Sequence, residues 1–552
     1  MTAGAAESSA PAAAIAVRIA RRRCGVLLHP TSLPGAHGSG DLGEHARYFV
    51  DWLVSARQSL WQVLPLCGVG EGNSPYMGDS AFAGNPALID LHALQQRGWL
   101  LPVELQPPPT FDTGRVVFDA VMPWRLQRLE LAAQRFAAAL HDDAALAAQF
   151  AAFRAAHADW LEDYALFKAL CEQHPHMPWS AWPRPLAARD PQALAAARRA
   201  LATRIQHWCF VQWCFDEQWQ QLRRYAQGRG IRLVGDVPIF VSPHSVDVWA
   251  APQLFELADD GSPAAVAGVP PDYFSPTGQR WGNPLYRWEE HRRRGFDWWI
   301  ARLRRTLHLV DELRIDHFRG FAACWRVPAD APDAMRGEWV PGPGESLFAA
   351  LRAALGPLPV IAEDLGTITP DVTALRRRCG FPGMTVLQFA WDGDAANPYL
   401  PHNHDRDTVV YTGTHDNDTT HGWWSTLDGA ARRQVGDYFG LGAAAAGAAG
   451  SDGGGALDAA ALPGAQALMR AACASVADTA VLPMQDILGP PAGRRMNTPG
   501  VATGCWEWRF DWASVGPQHA ALLADWCRQY GREPAADGGH DPARATGSGE
   551  GG

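Results

Sequence analysis

The 552-residue sequence has no apolar run approaching the roughly 18–20 residues that cross a bilayer, which excludes a membrane-spanning protein. It also lacks long Lys/Arg runs. Its 48 basic residues against 58 acidic ones give a net charge of −10, so neither nucleic acid nor an anionic membrane is expected as a partner. None of the ten cysteines forms a C-x-x-C pair, so a zinc knuckle and a thioredoxin-like redox motif are both excluded. No P-loop or Rossmann glycine fingerprint follows a strand, and no cluster carries the ligand set of a structural metal, so no metal and no cofactor are expected. There is no internal repeat of fixed period.

What remains is a chain that folds: 47% hydrophobic and 19% charged, long enough for several compact units or one large α/β barrel with insertions. Ten scattered cysteines suit a reducing cytoplasm better than a disulfide framework. In Met1 to Arg23 the basic cluster Arg21-Arg22-Arg23 follows the apolar stretch, the reverse of a secretory signal. Residues 1–22 are therefore read as a disordered tail of a cytoplasmic protein, and 532–552, rich in Gly, Asp and Ala, as a second tail. The 24 tryptophans serve mainly as core packing, though a surplus of aromatic rings also suits flat, amphipathic ligands such as sugars.

Eight short β-type runs recur: Val26–His29, Trp61–Leu66, Ile231–Asp236, Glu312–Asp316, Leu358–Glu363, Met384–Phe389, Thr408–Thr412 and Ala480–Gln485. Most are continuously apolar, as expected of parallel strands buried on both faces. Helix-like segments lie between many of them, for example Trp298–Leu309, Ser346–Leu355 and Pro370–Arg378. The alternation indicates an α/β fold, a (β/α)8 TIM barrel. Roughly 165 residues separate the second and third runs, far more than one crossover needs. An Ala/Leu-rich stretch from Asp142 to Gln173 has helical spacing, so 91–205 is read as a mostly helical insertion between strands 2 and 3. The barrel is then 23–90 and 206–531, and the Gly/Ala-rich 440–464 is a flexible loop.

Polar residues gather where the runs end, the place where barrel enzymes keep their chemistry. In Leu313-Arg-Ile-Asp-His-Phe-Arg-Gly320, Arg314 and Asp316 are two apart on a strand and share a side, so the Arg favours an ionised Asp, as a nucleophile requires. In Val360-Ile-Ala-Glu-Asp-Leu-Gly366, Glu363 follows three apolar residues, and partial burial would raise its pKa toward that of a general acid. Tyr411-Thr-Gly-Thr-His-Asp-Asn-Asp-Thr419 adds His415 and a third carboxylate, Asp416. Each segment alone equally fits a rim ion pair or an ordinary turn. Together, three carboxylates at three strand ends beside an Arg and a His point to one pocket. Trp179 and Trp182 are expected to pin the insertion, His29 is open between a core residue and a ligand contact, and His317 is unassigned.

These segments resemble the amylomaltases (4-α-glucanotransferases, glycoside hydrolase family 77) of the α-amylase superfamily. The resemblance runs from Gly25 to Arg509 and includes Gly25–Pro34, Asn73-Ser-Pro-Tyr76 into Ser80–Pro86, Gly235–Phe240, Gly268–Ser275, Gly278–Tyr286, Gln485–Gly489 and Arg495–Gly500. It implies a retaining transfer of α-1,4-glucan segments to the 4-OH of another glucan or glucose. Asp316 would be the nucleophile, Glu363 the acid/base, and Asp416 the third carboxylate gripping sugar hydroxyls. It further implies that Asp236, Arg314 and His415 line the same subsite and that Tyr76 stacks under the sugar. Gln279 and Trp281 fall in a segment similar to the family's mobile loop over the acceptor, with Tyr273 nearby, and Asp392 and Asn497 are similar to further sugar-contacting positions. The expected partners are maltooligosaccharides and other α-1,4-glucans, for a monomer or weak oligomer. The chain departs from the pattern at His244, where relatives commonly carry an acidic residue.

Overall fold

The computed structural model describes residues 22–271, 275–441, 462–489 and 495–534. Eight parallel strands form one sheet in the order β10-β11-β12-β1-β2-β3-β6-β9. They are β1 (Arg23–Leu27), β2 (Leu60–Gln62), β3 (Arg232–Val237), β6 (Glu312–Ile315), β9 (Val360–Ala362), β10 (Gly383–Val386), β11 (Thr408–Tyr411) and β12 (Thr479–Pro483). The sheet ends meet, because Ala362 N–H donates to Pro382 O at 2.9 Å beside Gly383, and the ring closes into the expected (β/α)8 barrel. Nearly every strand residue is buried, which is why the strands read as unbroken apolar runs.

The crossovers are amphipathic helices. Glu345–Leu355 buries Leu347, Phe348 and Leu351 along one stripe against the barrel. Between β2 and β3 lie Phe118–Asp142, Ala144–Ala156, Leu161–Gln173 and Ala202–Gln227. The sequence pattern from 142 to 173 reads as continuous, yet the Asp143 carboxylate accepts the N–H groups of Ala145 and Leu146 and starts a new helix there. The helix Ala202–Gln227 runs across the boundary expected at 205 and reaches the barrel wall, where Trp219 Nε1–H donates to Leu309 O at 2.7 Å. Trp179 is buried and holds the loop after β3: its N–H donates to His244 Nδ1 at 3.0 Å and its Nε1–H to Pro243 O at 2.8 Å. His244 thus has a local packing partner in the inserted helices.

A second sheet, ordered β5-β4-β7-β8, was not expected. It is antiparallel and made of β4 (Ala265–Val269), β5 (Gln279–Pro284), β7 (Ala323–Pro328) and β8 (Glu338–Pro341). It grows from the loops after β3 and β6 and carries Gln279 and Trp281. The tail expected at 1–22 and the loop at 440–464 lie almost wholly outside the described residues, as does Tyr273. The C-terminal boundary differs from the sequence reading. Arg532 is fully buried and donates to Cys473 O, Ser475 O and Ala477 O, joining Arg22 in satisfying the carbonyls at the end of the helix that precedes β12. Among the described residues no helix is long and apolar enough to cross a membrane.

Candidate active site

The site is assembled by strand register. Parallel pairing places Asp236 of β3 opposite Arg314 of β6, and Ile315 of β6 opposite Ala362 of β9. The residues that follow the second pair, Asp316 and Glu363, therefore leave neighbouring strands at the same level, about 5 Å apart in the sheet direction.

Arg314 is the hub. Its Nη1 donates to Asp236 Oδ1 at 2.9 Å and to Oδ2 at 2.7 Å, and its Nη2 donates to Asp316 Oδ1 at 2.8 Å. Burial works against its charge, but Asp236 and Asp316 outweigh that and hold the guanidinium firmly protonated. Burial pushes Asp236 above the ordinary carboxylate range, with Arg314 opposing. Asp236 also accepts the Tyr76 hydroxyl at 2.7 Å; burial and the Asp236 charge raise the Tyr76 pKa well above that of a free phenol, so it stays a donor. Asp316 differs from Asp236 in being open, with 29% of its side chain exposed and only one oxygen engaged by Arg314.

Glu363 accepts the N–H of His317 through Oε2 at 2.6 Å and that of Leu365 through Oε1 at 3.0 Å. Burial, then the negative charge of Asp316, raise its pKa to about 8, with Arg314 and the two N–H donors acting in the other direction. A pKa near 8 favours the protonated form of Glu363 at neutral pH, beside an Asp316 that is paired with Arg314.

Asp416 sits on the turn after β11, and 42% of its side chain is exposed. Asn497 Nδ2 donates to its Oδ1 at 2.7 Å, His415 Nε2 is 3.3 Å from Oδ2, and Arg495 donates to its backbone oxygen. The His415 ring stacks on Tyr76 at 5.2 Å between centroids, and Trp506 leans on both. Tyr76 is thereby locked by an aromatic wall on one side and a carboxylate on the other.

From the second sheet, Trp281 meets the ring of His317 edge-to-face at 4.9 Å and donates to Gln279 Oε1 at 3.1 Å. So the structure gathers Asp236, Arg314, Asp316, Glu363, Tyr76, His415, Asp416 and Asn497, with Gln279 and Trp281 at the rim. It does not bring Asp392 to them: that residue lies on an exposed turn, accepting the N–H of Asp394 at 3.0 Å, and among the described residues no contact joins it to the cluster. Two participants escaped sequence reasoning. His317 acts through its backbone, in a left-handed conformation (φ 50°) that aims its N–H at Glu363, a role that side-chain chemistry does not signal. Trp506, also at positive φ (67°), completes the aromatic wall.

Compared with known proteins, residues 28–514 match the family model of 4-alpha-glucanotransferases. The chain is 48% identical over 506 residues to the 4-alpha-glucanotransferase of Thermus thermophilus, covering 91% of this chain and 97% of that protein. It is 45% identical over 492 residues to a chloroplastic/amyloplastic 4-alpha-glucanotransferase of Arabidopsis thaliana, covering 89% of this chain and 82% of that one. Its structure matches the amylomaltase from Streptococcus agalactiae in complex with acarbose with a TM-score of 0.86, at 36% identity, over 93% of this chain and 100% of that chain. The chain belongs to the 4-alpha-glucanotransferase family.

Proposed function

We propose that this protein is a glycosyltransferase of α-1,4-glucans that works by two displacements at one anomeric carbon, with Asp316 as nucleophile and Glu363 as acid and then base. The observation that carries the reading is the pair itself: an Arg-bound carboxylate with one free oxygen, next to a carboxyl whose pKa is raised to about 8. Arg314 occupies Oδ1 of Asp316, so Oδ2 attacks. As the C1–O bond breaks, the Glu363 proton passes to the leaving glycosidic oxygen, and a glycosyl ester forms on Asp316. Esterification removes the Asp316 charge, one of the two causes that raise the Glu363 pKa, so the same group becomes a carboxylate suited to deprotonating the incoming 4-OH. The acceptor oxygen then takes C1 back from Asp316, and the anomeric configuration is retained.

Asp236, Arg314 and Tyr76 hold this geometry, and Tyr76 with His415 offers a ring face to the sugar. Asp416, steered by Asn497, accepts hydrogen bonds from sugar hydroxyls. Gln279 and Trp281 favour a sugar over water at the acceptor side, so that transfer outruns hydrolysis. The substrates are maltooligosaccharides and longer α-1,4-glucans. Ten unpaired cysteines suit a cytoplasmic enzyme, which we take to be a monomer or weak oligomer, and we take 91–205 as an insertion that braces the barrel.

Incubation with maltotriose alone tests the activity. A ladder of longer and shorter maltooligosaccharides plus glucose, at constant total reducing ends, is the expected product pattern; steeply rising reducing ends would mean a hydrolase.

A further inference from the structure

The inserted helices meet the barrel's outer helix Asp297–Leu309 at a polar knot. That helix leads into the start of β6, the opposite end of the strand from Asp316. His157 caps the C-terminus of helix Ala144–Ala156, Asp216 lies within helix Ala202–Gln227, and His308 is one residue before the end of Asp297–Leu309. Each offers a donor atom, and the three atoms lie within 4.8 Å of one another. His308 Nε2 is 3.5 Å from Asp216 Oδ1, and the two imidazole centroids are 5.8 Å apart. Neither ring nitrogen of His157 has a hydrogen-bond partner among the described residues.

The surroundings fit a ligand set. Arg305, one turn before His308, donates to Asp216 Oδ1 at 2.6 Å and leaves Oδ2 free, the way an outer residue orients a ligating carboxylate. Its own charge is spread over Phe82 O at 3.1 Å and the face of Trp160 at 5.2 Å. Burial and the Arg305 charge push the His157 pKa down to about 4, so its imidazole is held neutral, the form that ligates a metal. Two imidazoles with one carboxylate select zinc-class transition metals over the hard alkaline-earth ions. Drawing the donors to the spacing of a tetrahedral site needs movements of only about 1 Å, and His308, with 45% of its side chain exposed, is free to turn.

We infer that His157, Asp216 and His308 bind one zinc-class divalent metal, with water completing the shell, and that this metal fastens the inserted helices to the barrel. The role is structural. The clamp holds Trp160, Phe82 and Arg305 together, and Phe82 belongs to the segment that runs back to Tyr76.

The test uses the full-length protein, freed of metal by a chelator and titrated with Zn2+ alone by calorimetry, with Co2+ in parallel for its visible spectrum. The expected result is one equivalent of zinc bound at micromolar concentration or below. Cobalt should show tetrahedral d–d bands without thiolate charge transfer, and Tm should rise with zinc concentration. His308→Ala, at a half-exposed position, and His157→Gln should each weaken binding about a hundredfold or more, while maltotriose disproportionation by the chelated enzyme stays unchanged. Absence of a stoichiometric site, zinc binding that survives both substitutions, or a cobalt spectrum dominated by thiolate charge transfer would each overturn the inference.

Discussion

The backbone N–H of His317, the residue that follows Asp316, donates to Glu363 Oε2 at 2.6 Å. One peptide group thus ties the two carboxyls together across adjacent strands, and any shift of the turn after β6 moves both. Several measurable consequences come from this coupling.

The first concerns pH. In the proposed mechanism glycosylation needs protonated Glu363, whose pKa burial and the Asp316 charge raise to about 8. The kcat/KM for a maltooligosaccharide donor should therefore hold below that value and fall about tenfold per unit above it. With a glycosyl fluoride, whose leaving group needs no proton, the alkaline limb of the first step should vanish. An alkaline limb of equal size on both donors would place the titration elsewhere.

Stability should move the opposite way from activity when Glu363 is replaced. In the pH range from the ordinary glutamate value of 4.5 to about 8, the folded protein binds a proton that the unfolded chain has lost. Unfolding free energy therefore declines as pH rises through this window, and the raised pKa contributes stability only on the acid side. Glu363→Gln cannot ionise, so thermal denaturation at pH 8 should give a Tm a few degrees above wild type, with transfer lowered by several orders of magnitude. A lower Tm for the variant would contradict the burial argument.

Arg314→Lys keeps a charge but cannot fork across Asp236 and Asp316. Activity should drop at least a hundredfold, and the variant should be destabilised by about 3 kcal/mol because a buried carboxylate loses its partner. Denaturant titration together with initial rates checks both parts.

Tyr76→Phe isolates one hydrogen bond from the ring itself. Losing the donor to buried Asp236 should cost about 1.5–3 kcal/mol, or roughly ten- to a hundredfold in kcat/KM. Tyr76→Ala removes the stacking face as well and should lose more. Equal kinetics for the two variants would show that the hydroxyl, and not the ring, carries the effect.

Much of this architecture was legible before any coordinates. The eight barrel strands announced themselves because strands buried on both faces must be apolar throughout, and Asp236, Asp316 and Glu363 mark where those runs stop. The second sheet was hidden for the converse reason. Its strands Gln279–Pro284 and Glu338–Pro341 are half-exposed, hold Gly or Pro, and show neither an apolar run nor clean alternation. The break at Asp143 was masked by flanking Ala and Leu, which read as helix on either side of a cap. His317 is unassigned in the sequence because on a regular strand it would face away from Asp316; its left-handed backbone instead aims the peptide N–H at Glu363. Asp392 is the reverse case, a position carried by resemblance without a local signal of its own, and it lies on an exposed turn.

The most direct test of the central claim is to trap the ester. Glu363→Gln is mixed with an α-maltosyl fluoride donor, quenched, and digested for peptide mass spectrometry. A glycosyl adduct on the peptide containing Asp316, absent in Glu363→Gln/Asp316→Asn, is the predicted result. An adduct on another residue, or no adduct together with products of inverted anomeric configuration, would contradict it.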